Sequence, residues 1–201
     1  MQGGTNTQRH IDGMLDALKF DNDERPKLVH RIDKDTSGVL VLARNRKTAD
    51  LLTKAFREHT LKKTYLALVR GVPAKEYGEI KAPLEKADGR VQVLEGGKPA
   101  VTEYQVLDCV SDKYALLAAS PLTGRTHQIR AHLEFIGTPI LGDGKYFGTD
   151  REKSGMFVHK LHLHAYKIDL SSVYGRKLIV QAKLPGYFKD SLSTLGLNFR
   201  G

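Results

Sequence analysis

The segment His30-Arg31-Ile32-Asp33-Lys34-Asp35-Thr36-Ser37-Gly38 crowds carboxylates, cations, a histidine and hydroxyls between two apolar runs. Loops held at strand ends by a rigid sheet are favoured places for reacting groups. Such a loop could offer an ionised carboxylate as nucleophile or base, or it could pair Asp33 with Asp35 around a divalent cation. The same residue types also suit a plain tight turn, because Asp, Thr, Ser and Gly satisfy turn backbone locally. A hard cation needs several oxygen ligands, and no acidic cluster elsewhere in the chain stands out to supply them. A kinase-type catalytic loop places Asp directly after His-Arg. Here Ile32 intervenes, and no glycine-rich phosphate loop precedes it.

A second polar segment is Pro121-Leu122-Thr123-Gly124-Arg125-Thr126-His127-Gln128-Ile129-Arg130-Ala131-His132-Leu133. On a helix over 124–136, His127, Arg130 and Glu134 share one side, distinct from the stripe of Ile129, Leu133 and Ile136. Taken alone, this is a basic helix that could lie on a phosphate backbone. It is no Walker loop, since Gly124-Arg125-Thr126 lacks the lysine and the earlier glycine. In His159-Lys160-Leu161-His162-Leu163-His164, histidines two apart on a strand face the same way, so zinc has to be considered. No cysteine or carboxylate accompanies them, and packing with hydrogen bonding is the expectation. Cys109 is the sole cysteine, which excludes an intrachain disulfide. Its apolar run 104–110 predicts strand packing rather than a reactive thiol.

The elements that must position these segments follow from periodicity. A short amphipathic piece over 11–20 puts Ile11, Leu15 and Leu18 on one stripe. Residues 27–32 read as a strand, 33–38 as a turn, and 39–43 as an apolar strand covered on both faces. A helix is expected over 46–58 with Thr48, Leu51, Leu52, Ala55 and Phe56 near one face. Residues 62–70 alternate as a strand, with Tyr65, Ala67 and Val69 on one side, and Gly71-Val72-Pro73 ends it. Further strands are expected over 78–82, 100–110, 114–119, 163–170 and 177–184. A tail helix from Gly186 carries Phe188, Leu192 and Leu195. Many strands, few helices and no βαβ alternation predict an α+β fold, a single domain on a mixed, mostly antiparallel β-sheet flanked by a few helices.

Charge points to a partner. The 201 residues hold 32 Lys and Arg against 23 Asp and Glu, a formal +9. That excess favours a polyanion, because each phosphate contacted releases condensed counterions. No stretch approaches the roughly eighteen apolar residues that a membrane span needs. The first residues lack a basic-then-apolar signal pattern, so a reducing cytoplasm is the default expectation.

Four of these segments together resemble one family. The run from His30 to Leu40 resembles the signature of the RluA-type pseudouridine synthases. Lys63-Thr64-Tyr65-Leu66-Ala67-Leu68-Val69-Arg70-Gly71 is similar to that family's tyrosine-bearing strand. The run from Thr123 to Leu133 resembles its arginine motif, and Pro139-Ile140-Leu141-Gly142-Asp143 the loop after it. The run from Leu161 to Ala165 also fits, which accounts for the histidine pair without zinc. The resemblance extends over roughly residues 3–184.

That resemblance implies the pseudouridine synthase fold and the isomerisation of uridine in RNA, with no cofactor and no metal. It implies Asp33 as nucleophile, Tyr65 stacked on the target base and aiding loss of the C5 proton, and Arg130 as the basic partner of Asp33. A cation beside a carboxylate favours its ionised form, whether it attacks the sugar, attacks the base or takes a proton from C2′. A stacked base must be flipped out to be reached. Arg31 corresponds to the arginine that fills the vacated space. His30, Arg125, Thr126, His127, Gln128 and Ile129 fall in the substrate-binding motifs. Lys34, Arg44, Arg46, Lys62, Lys63 and Arg125 are candidate phosphate contacts. The regions around Gly3-Gly4 and residues 29–31 resemble members acting on bacterial large-subunit rRNA, the expected partner, with tRNA as the alternative.

The family's domain normally opens with a strand and a Lys-Pro-Ala-Gly-like motif, and many members carry an S4-like RNA-binding domain before it. The chain is expected to begin after both, as one catalytic domain over 1–201, taken as a monomer. Two other readings stay open: a non-catalytic RNA-binding protein on this scaffold, and a metal-dependent nuclease using Asp33, Asp35 and the histidines.

Overall fold

The computed structural model describes residues 11–21, 23–147 and 160–201. In chain order, α1 (Ile11–Met14) and a 3-10 turn (Leu15–Leu18) precede three short strands, β1 (Lys27–Leu28), β2 (Ser37–Gly38) and β3 (Leu42–Ala43). After α2 (Arg46–Arg57) come β4 (Lys62–Arg70), β5 (Tyr77–Lys81), β6 (Leu84–Ala87), β7 (Arg90–Val93), β8 (Val101–Val110) and β9 (Tyr114–Pro121). Then follow α3 (Gln128–Phe135), β10 (Leu163–Asp169), α4 (Ser171–Tyr174), β11 (Ile179–Gln181) and α5 (Gly186–Leu195).

The main sheet runs β11-β10-β4-β9-β8-β5 with antiparallel neighbours, and β2 joins β10 in parallel. This is the mixed, mostly antiparallel sheet expected of the α+β class. Central β4 is covered on both faces. Ala67 and Val69 pack with Leu117, Ile129 and Leu133 beneath α3. Leu66 and Leu68 pack with Leu116, Phe188 and Leu192 of α5 on the other side. Each such side chain contributes about 1.5–3 kcal/mol on burial, so α3 is pressed firmly onto the sheet.

Helix α2 closes a third cluster. Its cap is Asn45, whose side chain accepts the Thr48 N–H at 2.8 Å. Ala49, Leu52 and Ala55 turn inward onto Val29, Ala43 and Ile168. Leu51, expected inside, is exposed, because the buried stripe runs through Ala49 instead. In the first segment Leu15 is buried but Leu18 is exposed, since the helix tightens into a 3-10 turn and the stripe breaks.

The expected strands over 27–32 and 39–43 shrink to a two-residue ladder, Lys27↔Ala43 and Leu28↔Leu42, outside the main sheet. Their other backbone groups are used differently. The Val41 N–H donates to His30 Nε2 at 2.8 Å, and the Val39 N–H donates to the Ala165 carbonyl at 2.8 Å. The run 39–43 is apolar because Val39, Val41 and Ala43 face the α2 cluster, not because a strand passes through the sheet.

Three further differences have local causes. The helix expected over 124–136 starts only at Gln128, because His127 takes a left-handed conformation, φ 52°. The β6–β7 hairpin was not anticipated, although Asp88-Gly89 with positive φ at both residues is a standard two-residue turn. Cys109 lies in a strand as expected, but on the open face of β8, where it is exposed.

The loop bearing Asp33 is tied down by β2. Ser37 and Gly38 pair with His164 and Ala165. Gly38 has φ 114°, and a Cβ there would collide with the Ala165 backbone. Only glycine suits such a position. Gly38→Ala is expected to cost about 2 kcal/mol or more in urea unfolding. An unchanged midpoint would mean that β2 does not hold the loop.

Candidate active site

Asp33 sits at the turn before β2, where the Thr36 N–H closes onto the Asp33 carbonyl at 3.1 Å. Its carboxylate is largely withdrawn from solvent, with 19% of the side chain exposed. Two groups from the start of α3 face it: Arg130 Nη1 at 3.6 Å from Oδ2, and His127 Nε2 at 4.0 Å from Oδ1. Residues three apart lie on one helix side. The left-handed His127 begins that side and Arg130 continues it.

Arg130 has a closer partner than Asp33. Its Nε and Nη2 donate to the two oxygens of Asp143, each at 2.7 Å. This is a bidentate fork, the strongest common geometry for such a pair. The Asp143 side chain is completely buried, and it also accepts the Lys145 and Tyr146 N–H groups. The Arg130 guanidinium lies 5.0 Å from the centre of the Tyr146 ring. Burial works against its charge, but the Asp143 fork and the Asp33 charge more than offset this and raise its pKa.

Tyr146 joins the parts. Its hydroxyl lies 3.0 Å from His127 Nδ1 and accepts the Val91 N–H of β7 at 3.1 Å. Arg90 of the same hairpin reaches Glu134 at 3.5 Å. The side of α3 predicted to carry His127, Arg130 and Glu134 is therefore the side these groups hold. Burial lowers the His127 pKa despite Asp33 nearby, which keeps its ring neutral.

Beside this group opens a cavity of about 510 Å³. Asp33, Tyr65, His30, Arg31, Arg125, Thr126, His127, Gln128 and Ile129 all line it; Arg130 meets Asp33 from outside that lining. Ile129 and Leu163 supply apolar wall. Tyr65 is held as a phenol, its pKa pushed up to about 12 by burial and then by the Asp33 charge. Of the six candidate phosphate contacts, only Lys63 and Arg125 line the cavity. The buried Thr36 hydroxyl, also on the wall, has no hydrogen-bond partner among the described residues.

Two residues expected to touch substrate are occupied inside the protein. Gln128 donates to the Val101 carbonyl at 2.8 Å and Thr102 Oγ1 at 3.0 Å, and it accepts from Thr123 Oγ1 and the Arg125 N–H. All its amide capacity goes to fixing residues 123–125 onto β8. His30 stacks on Phe56 at 4.2 Å and accepts from the Val41 N–H. Burial, with the Lys63 charge adding to it, pushes its pKa down to about 4.

The histidine pair is likewise engaged. His162 lies between the Leu141 carbonyl and Ser191 Oγ, and His164 between Ser37 Oγ and the Ala182 carbonyl. His159 lies outside the described residues. Asp35 is exposed and does not line the Asp33 cavity, so the two carboxylates do not converge there. Among the described residues, no three His, Cys, Asp or Glu side chains form a metal cage.

The sequence places Asp143 in the loop after the arginine motif without giving it a role, and it singles out neither Tyr146 nor the hairpin. A signal for Asp143 existed: a lone acid after Gly142 at the end of an apolar run. Gly142 has φ 70°, and a Cβ there would strike the Lys160 carbonyl.

A family model described as RNA pseudouridylate synthase matches residues 1–135. The ribosomal large subunit pseudouridine synthase C of Rickettsia bellii is 40% identical over 195 residues, covering 93% of this chain and 63% of the relative. The mitochondrial RNA pseudouridine synthase 4 of Arabidopsis thaliana is 37% identical, covering 86% of this chain and 48% of the relative. The chain thus spans less than two thirds of the length of these curated relatives. The structure of human RNA pseudouridylate synthase domain containing 4 superposes with a TM-score of 0.81 at 31% identity, covering 98% of this chain and 87% of that one.

The buried groups make two predictions. Arg130→Met leaves Asp143 buried without its cation and is expected to cost about 3–5 kcal/mol of stability. A cost below about 1 kcal/mol in urea unfolding would refute the fork's structural role. His30 is neutral when folded, with a pKa near 4 against 6.5 unfolded. Its contribution, about 3 kcal/mol, is complete above pH 6.5 and lost as pH falls through 4. Stability of His30→Asn should therefore fall less steeply between pH 6.5 and 4.5; an unchanged slope would contradict the assignment.

Proposed function

The chain belongs to the RNA pseudouridylate synthase family, and from that premise we propose that it isomerises uridine to pseudouridine in large-subunit ribosomal RNA. The observation that carries the reading is the Asp33 carboxylate on the cavity wall, with Arg130 Nη1 3.6 Å away and Tyr65 beside it. The ribosomal substrate is supported by the Rickettsia relatives, which are ribosomal large subunit pseudouridine synthases. The basic charge of +9 fits an RNA partner, and the cytoplasm is the compartment that goes with it.

In this reading the target base leaves its stack and enters the cavity between Tyr65 and Ile129. Exposed Arg31, two residues from Asp33, fills the gap, since a planar guanidinium can stack and hydrogen-bond at once. Asp33 attacks C1′ or the base, or takes a proton from C2′. In each route the N1–C1′ bond breaks, the base turns, and a C5–C1′ bond forms. The C5 hydrogen then leaves as a proton, and N1 ends protonated. Every electron pair stays within the nucleotide and Asp33, so the balance calls for no redox partner. Tyr65, held as a phenol, serves as the platform for the base and as a hydrogen-bond donor in the proton transfers. Arg130 keeps the departing carboxylate charge compensated, while its Asp143 fork prevents it from swinging away.

The test is release of tritium from C5-labelled large-subunit rRNA. Wild-type protein should release one tritium per pseudouridine formed, and Asp33→Asn should slow this by a factor on the order of a thousand or more. Arg130→Lys, which keeps the charge but loses the fork, should lower kcat by about a hundredfold with KM little changed. Release from tRNA alone would correct the substrate. Equal release from Asp33→Asn would end the isomerase reading and favour an RNA-binding role.

A further inference from the structure

Among the described residues, four cations line the Asp33 cavity, Arg31, Arg57, Lys63 and Arg125, and Asp33 is the single carboxylate there. The three arginines are exposed, where water solvates their charge. Lys63 differs. It is half-buried on β4, and no carboxylate among the described residues pairs with it. Burial pulls its pKa below the ordinary value; His30 and His59 are also lowered, by burial first and then by the Lys63 charge. These neighbours are therefore neutral rings, not counterions. An ammonium partly withdrawn from water without a partner costs stability, and no acidic group among the described residues offsets that cost.

The strand geometry says where a partner would lie. Lys63 and Tyr65 are two residues apart on β4, so their side chains leave the same face about 6.6 Å apart along the strand. Tyr65 lies within reach of the Asp33 charge, and Lys63 lies toward His59 and Arg125. A nucleotide whose base rests on Tyr65 and whose sugar faces Asp33 would direct its anionic group to the Lys63 end. Resting on the isomerase reading for the identity of the polymer, we infer that Lys63 holds a backbone phosphate of the flipped uridine and so sets the sugar's position against Asp33. A positioning residue of this kind touches no bond that changes.

Lys63→Met keeps the stem and removes the charge. Free protein carrying it should be as stable as wild type or more so in urea, because an unpaired, half-buried charge is gone; a structural role predicts the reverse. Affinity for a large-subunit rRNA fragment, measured against salt, should lose about 0.7–0.9 from the slope of log K on log salt, the share of one phosphate contact. Single-turnover tritium release should fall by about ten- to a hundredfold, with Lys63→Arg restoring both slope and rate in large part. An unchanged salt slope, or a destabilised Lys63→Met with activity lost in proportion, overturns the phosphate seat. Wild-type protein that binds with the full slope but releases no tritium would refute the isomerase reading and leave the seat standing.

Discussion

The buried fork between Arg130 and Asp143 is the constraint on which the site depends. Two full charges are taken out of water there, which costs several kcal/mol per ion before their attraction repays it. The geometry that repays it is demanding. Nε and Nη2 are both committed at 2.7 Å, and the Asp143 oxygens also collect two backbone N–H groups. With two of its nitrogens used, the guanidinium turns Nη1 toward Asp33. One cation thus serves two carboxylates in unequal shares: Asp143 fixes the orientation, and Asp33 receives what remains.

Everything that supports the fork comes from a different part of the chain. α3 supplies the arginine, the loop after β-bridged Ile140 supplies the acid, and the β6–β7 hairpin supplies Val91 to hold Tyr146. The opposite wall is built as rigidly. His30 clips the approach to Asp33 onto Val41, β2 clips its exit onto β10, and Gln128 ties the loop before α3 to β8. The histidine rings of this framework are each held by a fixed acceptor or donor, and burial lowers their pKa values. The exposed cations Arg31, Arg57 and Arg125 are left to the rim.

Much of this was legible in the residues. Period-two alternation located β4 to the residue, and helical spacing separated the His127–Arg130–Glu134 side of α3 from its apolar stripe. What failed were places where backbone hydrogen bonds go to side chains. The run 39–43 has the composition of a buried strand, yet its Val41 N–H belongs to His30. The helix start was misplaced because Gln128 bonds the Arg125 N–H and His127 turns left-handed, neither of which periodicity records. The role of Asp143 is hidden from the sequence for a related reason. A single acid in an apolar stretch has no pattern of its own, and its meaning depends on an arginine thirteen residues away that folding brings beside it.

The parallel pairing of β2 with β10 has a bearing on how such a chain can change over time. Side chains on a strand alternate, so a shift of one residue reverses every direction. An insertion or deletion between Asp33 and Gly38 would bring Ser37 or Val39 opposite the Ala165 backbone, where only a glycine fits. Point replacements at exposed Lys34 or Asp35 meet no such barrier. At those two positions spelling is free to drift, while the length of the loop is locked.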